Sequence, residues 1–293
     1  MAPPALPAEL IHEIIQSLVR VPTNTLQYGY TQDVLRALLQ LSLVNHFLHT
    51  ASTRQLYSSI ELTNYHQLKG LINTLKSSPT IRQHPHSLFL NNFFVRYSLI
   101  PEANELLQLL SPSLRRLALC APGSVYKMGS NSLRLVLGGL THLEDFVHVG
   151  FPCAELGDIW SDWKSLRCVL LVGIQVNPPF INAIAQLPHL TELWLIDACW
   201  GERIDEYYLM LEMLKAGVGF QKVVLVLGSP EELAQILQFV RSLPEESLKS
   251  SFREGLDVQY LELQATVGRL RAQIADGSFW KLDTRNVVDK LPS

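Results

Sequence analysis

The sequence predicts an α/β protein in which a small helical N-terminal domain precedes a curved solenoid of parallel strands and helices. Three observations predict this fold class. A short apolar motif recurs at nearly constant steps, helix-like stretches separate its copies, and two amphipathic segments set apart the N-terminal region. We therefore expect two domains, residues 1–60 and residues 61–293.

The first helix is expected to begin near Pro7 and to present one broad apolar face. Proline suits the first turn of a helix because its missing N–H would be unpaired there, and Glu9 adds negative charge at the positive end of the helix dipole. Apolar residues follow at helical spacing, namely Leu10, Ile11, Ile14, Ile15 and Leu18. Other protein must cover such a face.

A second amphipathic segment is expected from about Val34 to Phe47. Its apolar residues offer more surface than two short helices can bury between themselves, so part of it should face a partner. Between the two helices, residues 21–32 contain proline, asparagine and glycine and are expected to form an inserted loop.

Residues 5–60 resemble the F-box, and in particular the F-box of fungal proteins. The matching motifs are Leu6-Pro7, Glu9-Leu10, the aliphatic pair Ile14-Ile15, the helix-forming Leu41-Ser42-Leu43-Val44, and the closing Leu56-Tyr57. The resemblance implies a domain that binds a Skp-type adaptor, which in turn bridges to a cullin scaffold, while the rest of the chain selects a protein substrate.

On this chain the adaptor-docking residues implied by the resemblance form one apolar set. The alternative is that these side chains are the internal core of an ordinary helical cap. The set comprises Leu6, Pro7, Leu10, Ile11, Ile14, Ile15, Leu43, Val44 and Phe47.

The repeated motif consists of an apolar residue followed three and five positions later by others. Its middle members at positions 60, 88, 117, 146, 169, 193 and 223 are separated by steps of 28, 29, 29, 23, 24 and 30 residues. These steps lie within or just beyond the range of roughly 20 to 29 residues found in leucine-rich repeats. The triplets are Tyr57/Ile60/Leu62, Pro85/Leu88/Leu90, Leu114/Leu117/Leu119, Leu143/Phe146/His148, Leu166/Val169/Leu171, Leu190/Leu193/Leu195 and Phe220/Val223/Leu225.

Helix-like stretches lie between the triplets, which favours a parallel sheet with helices on one side. The alternation resembles the leucine-rich-repeat family, although the asparagine or cysteine ladder of that family is missing, so we interpret the repeats as degenerate. The predicted helices are Gln67–Leu75, Glu102–Leu110, Phe180–Leu187, Glu206–Lys215 and Glu231–Leu243.

The residues between the triplet members should point to the concave side of the solenoid, where they would form a large apolar row. Either protein covers the row, since parallel strands buried on both faces are continuously apolar, or the row is the substrate groove with Trp194 as its anchor. The row contains Phe89, Ala118, Val147, Leu170, Trp194 and Val224.

The tail offers one candidate cover. Residues Tyr260, Leu263, Val267, Leu270 and Ile274 alternate in steps of three and four, which predicts a helix from about Gly255 to Ala275. The helix could cap the last repeat or fold back across the concave sheet. The segment that follows, Gly277–Lys281, resembles the terminal helix of fungal F-box chains and is expected to pack down.

No motif for catalysis, a cofactor or a metal emerges from the sequence, so we expect no enzyme activity. Nucleophile elbows, Walker A loops and dinucleotide fingerprints are absent, and His12-Glu13 lacks a second histidine because position 16 is Gln16. His84 and His86 have no cysteine or carboxylate nearby in sequence. We expect Trp160, Trp163 and Trp200 to fill the core or a cap, with partner contact as the alternative.

Composition points to protein partners. The net charge is −3 without a stripe of Lys and Arg, which argues against nucleic acid and anionic membranes. The longest apolar runs are strand-sized, far short of a membrane span. The four cysteines form no C-x-x-C pair, so we expect a reducing compartment, cytoplasm or nucleus.

Together these patterns predict a non-catalytic substrate receptor of a cullin-type ubiquitin ligase. Two alternatives stay open: an F-box protein that binds the adaptor without a cullin, and a plain leucine-rich scaffold whose N-terminal helices are only a cap.

Overall fold

The computed structural model describes residues 7–19, 30–91, 100–120, 137–149, 159–176, 178–196, 199–200, 222–227 and 256–260. Its helices are α1 (Ala8–Leu18), α2 (Gln32–Ser42), α3 (His46–Ser58), α4 (Tyr65–Ser77), α5 (Ile100–Leu110) and α6 (Pro178–Ala185), with a 3-10 helix at Pro79–Gln83. Its strands are β1 (Ser59–Leu62), β2 (Ser87–Asn91), β3 (Arg116–Cys120), β4 (Asp145–Val149), β5 (Cys168–Val172), β6 (Gln175–Val176), β7 (Glu192–Ile196), β8 (Cys199–Trp200), β9 (Lys222–Leu227) and β10 (Leu256–Tyr260).

Eight of the described strands form one parallel sheet. Its order is β1-β2-β3-β4-β5-β7-β9-β10, so the strands follow one another across the sheet in the order in which they occur along the chain. The short strands β6 and β8 pair separately. The predicted α/β class with a parallel sheet is confirmed.

The register of the sheet follows the sequence repeat. The middle triplet residues lie directly opposite one another between all neighbouring strands of the sheet from β1 to β9. In β1 to β5 and β7 these residues point into one core. The opposed residues are Ile60, Leu88, Leu117, Phe146, Val169, Leu193 and Val223.

The prediction of a helix from Gly255 was wrong at its start. Residues 256–260 form β10, in which Leu256 lies opposite Val223 and extends the register by one strand. The alternation of Leu256, Val258 and Tyr260 with polar residues has the period of a strand, and the three-and-four spacing of a helix begins only at Tyr260. Residues 261–275 and the segment 277–281 lie outside the described residues.

Three of the predicted helices are present with slightly different ends. Helices α4 and α5 include the whole of their predicted spans, and α6 begins at Pro178 but ends at Ala185, before the predicted end at Leu187. The predicted helices at 206–215 and 231–243 lie outside the described residues.

One hydrophobic core lies between the helices and the sheet. The inward residues of β1 to β5 and β7 pack there with buried leucines and isoleucines of α4, α5 and α6. Trp160 and Trp163 are buried in the same core, as predicted, whereas the side chain of Trp200 lies outside the described part. The sheet and these helices are therefore layers of a single body, with a continuous apolar interior.

One triplet position holds a histidine instead of an aliphatic residue. His148 is 5% exposed and stacks on Phe146, with ring centroids 6.0 Å apart. Burial lowers the pKa of His148 to about 3, so the imidazole is neutral at physiological pH. This histidine therefore occupies a core position as an uncharged ring.

The N-terminal helices form a small bundle whose core residues are Ile15, Leu38 and Leu48. The single segment predicted from Val34 to Phe47 is in fact two helices, because α2 ends at Ser42 and Asn45 caps the start of α3. Helix α3 continues directly into β1, which crosses the predicted domain boundary after residue 60.

Candidate docking surface

Helix α1 exposes a row of large apolar side chains. Leu10, Ile14 and Leu18 are 45%, 48% and 39% exposed. They are spaced by four residues, so they lie one above another on the same face of the helix. We call this row the α1 stripe.

A second group of exposed apolar residues surrounds the turn between α2 and α3. Leu43 and Val44 are 86% and 64% exposed, and Leu39 and Phe47 are 55% and 45% exposed. We call these four residues the turn group. Exposed side chains of this size, concentrated in one short segment, are typical of a surface that binds another protein.

Hydrogen bonds hold the turn group in place. The backbone N–H groups of Leu43 and Val44 donate to the carbonyls of Gln40 and Leu41, at N···O distances of 3.1 and 3.2 Å. The side-chain Oδ1 of Asn45 then accepts from the N–H of Leu48 at 2.8 Å and caps α3. The backbone that presents Leu43 and Val44 is therefore well defined.

Replacing Asn45 with alanine should lower the free energy of unfolding by about 1 kcal/mol, because the N–H of Leu48 loses its acceptor at the start of α3. Thr31→Ala removes the corresponding cap of α2, whose N···O distance is longer at 3.4 Å, and should cost less. Urea unfolding of the two variants measures both losses, and a larger loss for Thr31→Ala would contradict this ranking.

The predicted docking residues differ in their accessibility. Ile11 is half-buried, and Leu6 lies outside the described residues. The exposed members are Pro7, Leu10, Ile14, Leu43, Val44 and Phe47.

The prediction that Ile15 contacts the adaptor was wrong. Ile15 is 2% exposed and packs with Leu38 and Leu48 in the bundle core, so it cannot contact a partner. Adjacent residues on a helix point about 100° apart, which directs Ile14 outward and Ile15 inward. Leu18 and Leu39 are also exposed, but they were not among the predicted docking residues. Their spacing could have indicated them, because Leu18 follows Ile14 by four residues and Leu39 precedes Leu43 by four.

The concave row that was the second candidate site is buried. The side chains of this row are 0% exposed at Phe89, Ala118, Val147 and Leu170, and 2% exposed at Trp194. These side chains cannot contact a substrate in this conformation, and the substrate-groove interpretation is therefore replaced by its alternative, a covered row. Val224 lies opposite Trp194 in the register, but its side chain lies outside the described part.

Charged residues line the N-terminal ends of the strands. Arg115 and Arg167 both donate to the carboxylate of Glu144, at 2.6 and 2.7 Å. Arg116 lies 3.2 Å from Asp145, which is 7% exposed. Positive and negative groups alternate along these ends, so they connect neighbouring strands without creating a patch of one sign.

Asp145 is the ionisable residue of this group that burial affects most. Burial raises the pKa of Asp145 from 3.8 to about 6, and the positive charges of Arg116 and Arg167 counteract only part of the shift. The negative charges of Glu144 and Glu192 raise it further.

Because the folded state holds this proton more tightly than the unfolded state, the contribution of Asp145 to stability is largest below the unfolded pKa and declines as the pH rises to about 6. The unfolding free energy of the native protein minus that of Asp145→Asn should therefore fall by roughly 1 kcal/mol between pH 5 and pH 7.5. Urea titrations at both pH values measure the difference, and a difference that is independent of pH would contradict the prediction.

Among the described residues, no three His, Cys, Asp or Glu side chains converge in the manner of a metal site. None of the described helices has the length and hydropathy needed to span a bilayer. No protein-family model matches the chain, and no curated protein matches it. The candidate site therefore depends on the geometry of this chain alone.

Proposed function

We propose that the chain is an F-box-type substrate receptor that binds a Skp-type adaptor through its N-terminal helices and brings a protein target to a cullin-based ubiquitin ligase. The observation that carries the proposal is the exposure of Leu10, Ile14, Leu43, Val44 and Phe47, since these are positions at which the F-box resemblance requires contact with the adaptor.

The energetics favour a partner at this surface. Burying a large aliphatic or aromatic side chain contributes about 1.5–3 kcal/mol, and the α1 stripe and the turn group together leave seven such side chains exposed. A helical cap that served only its own chain would direct these residues inward, as it does Ile15 and Leu38. The exposed positions therefore support the adaptor-binding role over the plain cap.

The proposal also covers the rest of the chain, which we interpret as a degenerate leucine-rich-repeat solenoid that presents the target-binding surface. The in-register parallel strands and the helices on one side of the sheet support this architecture. The proposed location is the cytoplasm or the nucleus, because the four cysteines of the sequence form no C-x-x-C pair.

Co-expression of the full chain with a Skp-type adaptor tests the proposal. We expect the two proteins to elute together in size-exclusion chromatography, and we expect the complex to capture a cullin that the chain alone does not bind. Failure of the adaptor to co-elute would leave only the plain scaffold. Co-elution without cullin capture would instead indicate an F-box protein that works with the adaptor alone.

A further inference from the structure

A cleft of about 420 Å³ lies where the helical bundle meets the first strand of the sheet. Its floor is β1, from which Ile60 and Glu61 line the cleft. Apolar walls come from three helices, with Leu35 on α2, Leu56 on α3 and Leu71 on α4. None of these residues belongs to the α1 stripe or the turn group, so the cleft is separate from the proposed adaptor surface.

The cleft lies along the edge of the sheet. Among the described strands, β1 is terminal in the sheet order and pairs with β2 alone. An edge strand presents backbone N–H and C=O groups on its outer side, and these can pair with an additional strand. Because the cleft leaves space beside β1, an extended peptide can lie there and hydrogen-bond to the edge.

The two faces of β1 differ in chemistry, which specifies the peptide. Ile60 and Leu62 point into the core between sheet and helices, so Glu61 points to the opposite face. A strand added beside β1 alternates in the same way. Its side chains on the helix side meet Leu35, Leu56 and Leu71, and its side chains on the other face lie next to Glu61.

Among the described residues that line the cleft, Glu61 is the charged one. No lysine, arginine or histidine is among the described residues that line it. The side chain of Glu61 is exposed, yet nearby protein partly desolvates its carboxyl group and so raises its pKa. A hydrogen bond from the Asn91 side chain offsets only part of this effect. A cation placed beside this carboxylate would compensate its loss of water.

We propose that the cleft binds an extended peptide of a partner protein, one that pairs with β1 and carries a basic residue between two apolar residues. The backbone of the edge strand provides the affinity, the apolar walls select the residues on one face, and Glu61 selects the basic residue on the other.

Fluorescence anisotropy with a labelled Val-Lys-Val-Lys-Val-Lys-Val peptide and the full-length chain tests the proposal. The native chain should bind this peptide at least tenfold more tightly than a peptide of the same composition with its lysines grouped at one end, which cannot present the two faces. Equal affinity for the two peptides would overturn the proposal.

Matched variants isolate the two determinants. Glu61→Gln keeps the shape of the side chain and should weaken binding about fivefold at low salt. Glu13→Gln on α1 removes the same charge at an exposed residue that does not line the cleft, and it should have no effect. Gln32→Trp, an exposed substitution at the cleft wall, should abolish binding by filling the space. Unchanged binding in both Glu61→Gln and Gln32→Trp would overturn the proposal.

Hydrogen exchange and light scattering identify the occupant. The peptide should slow amide exchange in residues 59–62, and absence of protection there would overturn the proposal. Self-association of the native chain that Gln32→Trp abolishes would show that a second copy occupies the cleft, which also overturns it. Adaptor binding by Glu61→Gln should equal that of the native chain, so failure here is distinguishable from failure of the adaptor proposal.

Discussion

Replacing Ile14 with aspartate should weaken binding of a Skp-type adaptor about a thousandfold. Ile14 is the most exposed member of the α1 stripe at 48%, so a complex that covers the stripe must also bury this side chain. Burying an unpaired carboxylate in an apolar interface costs several kcal/mol, and about 4 kcal/mol corresponds to three orders of magnitude in affinity. Isothermal titration calorimetry with the full-length chain and the adaptor measures the change.

The same exposure predicts that Ile14→Asp folds normally, because the aspartate points into water when no partner is bound. Its unfolding free energy should stay within about 0.5 kcal/mol of the native value. A matched control is Gln16→Asp on the same helix. Gln16 is exposed but lies about 160° around the helix axis from Ile14, so its carboxylate should leave adaptor affinity unchanged.

The turn group provides an independent check of the proposed adaptor contact. Leu43→Asp changes the most exposed apolar residue of the set, and it should also reduce adaptor affinity strongly without destabilising the chain. If Ile14→Asp and Leu43→Asp bind as tightly as the native chain, or if Gln16→Asp loses as much affinity, the adaptor does not use this surface.

The parallel sheet was predictable because such a sheet imposes a strict register. Each strand must direct residues such as Leu88, Leu117 and Val169 into one core. The apolar residues of successive strands therefore recur in the sequence at a spacing that can be recognised. The strand β10 was missed since its apolar residues at 256 and 258 follow Val223 after a longer step than the earlier repeats.

Burial of individual side chains was harder to predict. The apolar face of α1 is wide enough to serve two surfaces, and sequence alone does not tell which half faces the bundle, so Ile15 was assigned to the partner. The concave row has the same difficulty. Trp194 is of the residue type that often anchors a binding partner, and only the packing of the folded chain shows that it is buried.

The cleft beside β1 could not be predicted for a different reason. Its walls come from residues as far apart in sequence as Leu35 and Leu71, which the fold brings together around the point where α3 continues into β1. Glu61 lies within an apolar triplet and carries no sequence signal of its own, since an exposed strand residue is often charged. The packing of the helical bundle against β1 and α4 creates this site.

The aromatic cluster of the core predicts the largest loss of stability. Trp163 is 0% exposed, its ring centroid lies 4.7 Å from that of Phe146 and 5.3 Å from that of Trp160, and its Nε1–H donates to the carbonyl of Leu137 at 2.9 Å. Phe180 on α6 contacts Trp160 edge-on at 5.6 Å. These rings connect β4 to α6.

Trp163→Ala should therefore lower the free energy of unfolding by about 3–5 kcal/mol, because it removes a large buried ring and leaves a cavity that fixed strands and helices cannot close. Trp163→Phe retains most of the packing but leaves the carbonyl of Leu137 without this donor, so its loss should be smaller, about 1–3 kcal/mol. Guanidinium unfolding monitored by circular dichroism gives both values. Lys164→Ala changes an exposed side chain at the next residue and should stay within about 0.5 kcal/mol. A loss for Trp163→Ala no larger than that would mean that the aromatic cluster does not stabilise the core.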